Sequence, residues 1–115
     1  DVYKRQQYDN AERFLGSFVA LWLAWDKSWP RTQTLDEDHF YHAIYHQLLE
    51  LTESEVDHKP KELVDIISIT LNWLHWLGYA PEDIAQTVMD RARTKYVDTD
   101  GIIDRYEAMR DRGEA

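Results

Sequence analysis

The stretch "KELVDIISITLNWLHWLGYAPEDI", residues 61–84, opens with two acids three positions apart and then runs almost wholly apolar to a glycine. Its apolar side chains are too continuous for a solvated loop. Its length exceeds that of an ordinary buried strand, so the reading is a buried helix. Pro60 suits the first turn of that helix, and Gly78 suits the position just past its end. Residues three apart share one helix face, so Glu62 and Asp65 project together from the first turn, with Ser68, Ile69 and Asn72 continuing near that stripe.

Outward from this segment the chain reads as helices throughout. Asp9-Asn10-Ala11-Glu12 has the pattern of a capping box, and Phe14, Phe18, Trp22, Trp25 and Trp29 follow at the spacing of one helical face, with Pro30 as the expected stop. Thr34-Leu35-Asp36-Glu37 is a second capping box. It heads a helix whose expected buried stripe is Tyr41, Ile44, Tyr45, Leu48, Leu51 and Thr52. Ala80-Pro81-Glu82-Asp83 opens a further helix with acids on the positive end of its dipole. A break at "DTDG" precedes a short last helix through Ile102, Tyr106 and Met109. No segment alternates with a strand period. The expectation is an all-α antiparallel bundle of four main helices, near residues 10–29, 35–56, 61–77 and 82–96, plus a short C-terminal helix. Residues 1–8 are read as an N-terminal extension and 9–115 as a single domain.

Composition narrows the function classes. A chain of 115 residues with no cysteine is one domain without disulfides or thiolate metal sites, as suits a reducing, cytoplasmic setting. A net charge of −9 argues against a nucleic-acid polymer as partner, and no segment reads as a membrane span. Five Trp and seven Tyr point to a core or interface rich in large rings. Trp73, Leu74, Trp76 and Leu77 point in adjacent directions around one helix, more than one chain can cover, so a homodimer or tetramer is expected.

The acids invite a chemical reading. Glu50 and Glu53 on the second helix form another pair three apart, so two antiparallel helices would present four carboxylates to a shared crevice. Hard divalent cations take such oxygens and bridge to substrate phosphates. The plain alternative is a solvated acidic face. His39, His42 and His46 fall on the same side of the second helix as Glu50 and Glu53 and offer a transition-metal face, with solvent or a partner as the competing neighbour. His75 reads as a hydrogen-bonded interior or interface residue, and Trp29, Trp73 and Trp76 as core rather than as platforms for a base.

"ELVDIISITLNWLHWLGYAPEDI" resembles the second half of the MazG-type, all-α nucleoside triphosphate pyrophosphohydrolases. The family signature is Glu-x-x-Glu, a spacer, and Glu-x-x-Asp at the head of an apolar helix. The matching residues are Glu62 and Asp65, then Leu77-Gly78, Glu82-Asp83 and Lys95-Tyr96, with "WPRTQT" at 29–34 resembling the family's N-terminal segment. The resemblance implies hydrolysis of a nucleoside triphosphate to the monophosphate and pyrophosphate. It also implies magnesium (manganese as an alternative) held by Glu50, Glu53, Glu62 and Asp65, with Arg91 and Lys95 over phosphate oxygens. Two registers of the first acidic motif stay open. The literal one uses Glu50 and Glu53, with eight residues between Glu53 and Glu62; the other places Gln47 first and Glu50 second. Ala92 stands where the family often has Asn. The competing class is a non-catalytic oligomeric helical module that binds a nucleotide or a protein partner.

Overall fold

The computed structural model describes residues 1–113. It contains α1 (Val2–Trp25), α2 (Trp29–Thr32), α3 (Asp38–Glu53), a single 3-10 turn at Val56–His58, α4 (Lys59–Trp76), α5 (Pro81–Thr94) and α6 (Thr99–Asp111). No strand occurs among the described residues. None of the helices there is long and apolar enough to cross a membrane.

The signals around α4 act as their chemistry requires. Pro60 sits in its first turn. Gly78 adopts φ 97°, the left-handed conformation open to glycine. Its N–H donates to the His75 carbonyl at 2.9 Å while Tyr79 N–H donates to that of Leu74 at 3.1 Å, closing the helix end in a Schellman arrangement. At α5 the Asp83 carboxylate accepts from Ala80 N–H at 3.0 Å.

Several sequence expectations shift: Thr34 does not cap α3, which starts at Asp38, and α6 already takes in Thr99, Asp100 and Gly101 of the expected break. The Asp9 to Glu12 pattern does not start a helix, because α1 already runs from Val2, with the Asp1 carboxylate accepting from Lys4 N–H at 2.9 Å. Residues 2–8 thus continue α1. Pro30 does not end that helix either: α1 stops at Trp25, and Pro30 lies in the first turn of α2, where its missing N–H costs nothing. The buried stripe of α3 is rotated from the expected one. Phe40 is buried, and Ile44, Gln47 and Leu51 are half-buried, whereas Tyr41, Tyr45 and Leu48 are exposed. An apolar arc wider than one neighbour leaves its far half uncovered.

Packing divides into two antiparallel pairs, α1 with α5 and α3 with α4, linked by smaller contacts of α4 with α1 and α2. In the first pair Val19, Leu23, Ile84, Ala85 and Met89 are buried. Gly16 faces Ala85 there: a Cβ at this position would lie 3.8 Å from the Ala85 Cβ, an ordinary van der Waals contact. In the second pair rings do the filling. Phe40 stacks on Trp73 with centroids 5.8 Å apart, and Tyr41 meets Trp73 edge-on at 4.7 Å. Leu71 and the half-buried Leu74 and Trp22 join the pairs into one small core.

Candidate functional site

The α3/α4 hairpin has a regular cross-section. Phe40, Ile44, Gln47 and Leu51 of α3 meet Glu62, Ile66, Ile69 and Trp73 of α4, each set spaced four, three and four. The residues just before these, His39, His46 and Glu50 on α3 and Asp65, Ser68 and Asn72 on α4, fall on one flank. Stepping back one residue turns both antiparallel helices toward the same side. This flank is polar, and the end of α1 with α2 leans on it.

Asp26, in the elbow between α1 and α2, is the hub. One of its oxygens accepts from Ser28 N–H and the Ser28 hydroxyl, at 2.9 and 2.6 Å. The other accepts from the Ser68 hydroxyl and, at 2.7 Å, from the Asn72 amide. The Trp22 indole N–H donates to Ser68 Oγ at 3.0 Å, and the Thr32 hydroxyl donates to Asn72 Oδ1 at 3.1 Å. Partial burial pushes the Asp26 carboxyl up, but the donors of Ser28, Ser68 and Asn72 together outweigh it and hold the group below the usual carboxylate value.

Beside this network lies an open crevice of about 420 Å³, walled by Asp26, Ser28, Thr32, His39, Phe40, Gln47, Asp65, Ser68, Ile69 and Asn72. Asp65 is exposed at its mouth. Glu62 is buried, turned into the hairpin, where the Gln47 side-chain amide donates to its carboxylate and also to its backbone carbonyl at 3.4 Å. Of the two registers left open by the sequence, Gln47 is therefore the residue that meets Glu62. Glu50 is exposed on the same flank, and Glu53, the last residue of α3, is exposed as well. Among the described residues no three His, Cys, Asp or Glu side chains converge as metal ligands. The four acids Glu50, Glu53, Glu62 and Asp65 do not form one cage.

Arg91 and Lys95 sit elsewhere. They line, with Thr94, Asp98, Ile102 and Arg105, a separate polar pocket of about 340 Å³ at the junction of α5 and α6. His39 lines the crevice with its ring edge-on to Phe40 at 5.3 Å, while His42 and His46 are exposed. His75 is half-buried, its Nδ1 3.1 Å from Gln33 Oε1 and its ring against Trp29. Trp73 and Trp76 pack around Phe40. All three tryptophans are half-buried, Trp29 against the core cluster and the other two around Phe40.

Sequence reasoning missed Asp26 and Thr32. A signal existed for the first: an Asp two residues before a Ser, right after an apolar run, reads as an Asx turn. Asn72 was a signal too, since an amide in an apolar helix must find partners.

The described residues do not make a preformed magnesium site. A resident cage of four carboxylates is absent from this arrangement, but magnesium commonly uses one or two carboxylates together with substrate phosphates and waters. Asp65 lines the crevice, whereas Glu62 is turned into the hairpin and does not, so Asp65 is the acid of the signature that an ion arriving with a phosphate would meet there. No family model, no curated protein and no solved structure matches the chain.

Proposed function

We propose that this chain is a MazG-like helical protein that binds a magnesium–nucleoside triphosphate in the crevice between the α3/α4 hairpin and the α1–α2 elbow, and releases pyrophosphate from it. The observation that carries the proposal is the placement of Asp65 at the mouth of a crevice whose other wall holds Gln47 against Glu62. That is where the resemblance puts the phosphate-binding acids.

Each residue has a definable part. Asp65, exposed and without a hydrogen-bond partner among the described residues, is the carboxylate available to orient or deprotonate an attacking water. Glu62 is fixed by the Gln47 amide, which keeps one carboxylate oriented without a second charge beside it. Ile69, backed by the buried Phe40, gives the crevice an apolar wall, while Asp26 holds Ser68 and Asn72 in place. Bound magnesium would neutralise phosphate oxygens that an acidic chain otherwise repels and would acidify a bound water.

Binding without cleavage is the second reading, and one observation favours it: Gln47 stands where the signature has a glutamate, so the donor set is one charge short. The test is pyrophosphate release from a panel of common and modified nucleoside triphosphates, with magnesium or manganese, for wild type and Asp65→Asn. Release lost in Asp65→Asn supports the hydrolase. Binding by calorimetry with no release supports the second reading, and neither binding nor release removes both.

A further inference from the structure

The pocket at the junction of α5 and α6 gathers positive charge that the acidic chain around it does not neutralise. Arg91 and Lys95 line it from the end of α5, and Arg105 lines it from α6. None of these three side chains makes an ion pair or a hydrogen bond among the described residues. Lys95 is half-buried all the same.

The spacing of the acids explains why. On a helix, the side chains that can reach a cation stand three or four positions away. For Arg91 these are Thr87, Val88, Thr94 and Lys95, and for Arg105 they are Gly101, Ile102, Ala108 and Met109. Neither set holds a carboxylate, although the chain has 22 Asp and Glu. Lys95 has one in reach, Asp98, and that group is committed elsewhere: it accepts from Gly101 N–H at 3.1 Å and caps α6. Arg91 and Lys95, four apart, also repel each other across one turn, and an anion shared between them would turn that repulsion into attraction.

We infer that this pocket is an anion site, separate from the crevice, that takes a single phosphate group, free or carried by a small molecule. Three cations against the one carboxylate of Asp98 leave an excess of two positive charges, which matches a phosphate group of about −1.5 to −2 at neutral pH. Guanidinium forks bind phosphate oxygens in pairs, and the ammonium adds a point charge. A free triphosphate brings more negative charge than this excess can balance. Screening excludes a polymer: within about 8 Å at physiological salt a small ion senses these cations rather than the net charge of −9. A nucleic acid would reach past them onto acidic surface and be repelled. Because α6 has no extensive contact with any other helix, a phosphate held from both sides would also tie it to α5. No magnesium and no carboxylate ligand enters this site, so the inference does not depend on the nucleotide reading.

Inorganic phosphate titrated into isotope-labelled protein, without magnesium and at constant ionic strength, should give saturable amide shifts centred on residues 91–105. Methyl phosphate titrated in the same way tells the free ion from an ester, and saturation there with either one supports the site. Arg105→Gln should weaken binding at least tenfold. Asp65→Asn should leave it unchanged, which separates a failure here from a failure of the crevice reading. A second measurement needs no variant: phosphate should protect Lys95 from acetylation, while the exposed Lys61 reacts as before. Shifts that do not saturate, that spread over all thirteen Lys and Arg residues, or that persist in Arg105→Gln would overturn the inference. So would unprotected Lys95, or binding that needs magnesium or is lost in Asp65→Asn, since the phosphate would then sit in the crevice.

Discussion

The two helix pairs are held together by different means, and the difference separates scaffold from site. Between α1 and α5 small residues meet, Gly16 against Ala85, with Val19, Leu23, Ile84 and Met89 filling around them. The middle of this contact is apolar, and the Arg93 guanidinium over the Tyr8 ring, 4.9 Å from its centroid, closes one end of it. Between α3 and α4 the spacing is set by rings and by a polar pair, Phe40 on Trp73 and Gln47 on Glu62. A hairpin spaced by bulky side chains leaves a crevice along one flank and an uncovered apolar strip along the other. The close pair supports the structure, and the looser pair offers surfaces to bind with.

Substitutions in the two pairs should differ in kind. The largest loss is expected for Phe40→Ala. Phe40 is 1% exposed and touches both Trp73 and Trp76, so its truncation leaves a cavity in the only ring stack the hairpin has among the described residues. A cost of about 3–5 kcal/mol is expected in denaturant melts. In the close pair the damaging change is the reverse one. Ala85 is fully buried against Gly16, so Ala85→Leu forces α1 and α5 apart and should cost about 1–3 kcal/mol. If Ala85→Leu were neutral, the contrast between the pairs would disappear.

The link between the pairs is testable through pH. Asp26→Asn keeps the shape but leaves at least one of the donors from Ser28, Ser68 and Asn72 facing an amide nitrogen. The loss should be about 1–3 kcal/mol at neutral pH. Because the folded-state value of Asp26 is depressed, its contribution is present above the unfolded-state value and is lost as pH falls through the folded one. Wild type should therefore lose stability over that acid range, and the variant should lose less. Parallel acid melts of the two proteins would show that Asp26 does not join α1 to α4.

How far the sequence could be read follows from which neighbours decide each feature. The all-α class, the Pro60 start and the Gly78 stop of α4 are local, set by φ and by hydrogen bonds within a few residues, and they were legible. The start of α1 was not, because a capping pattern inside a longer helix is overridden when the preceding residues also turn helically. The inward face of α3 was misread by about one position, since an arc holding Phe40, Tyr41, Ile44, Tyr45 and Leu48 does not say which half a single neighbour will take. Gln47 against Glu62 was one of two registers that spacing alone allowed. The distance of Arg91 and Lys95 from the acids depends on α5 pairing with α1, which no local signal encodes.

A smaller effect sharpens the chemistry of the looser pair. In Gln47→Glu two carboxylates face each other inside the hairpin without a donor between them. The variant should melt lower than wild type without divalent cation and regain the difference as magnesium is added, because a cation that binds only the folded state raises its melting temperature. If magnesium leaves the two melting temperatures equally far apart, Gln47 is not the position that limits metal binding.

The most direct test of the site is calorimetric titration of wild type and Asp65→Asn with a non-hydrolysable nucleoside triphosphate, each with and without magnesium. Binding to wild type that requires magnesium, and its loss by tenfold or more in Asp65→Asn, is the expected result. Equal affinity of the two proteins, or equal affinity with and without magnesium, would contradict the assignment of the α3/α4 crevice.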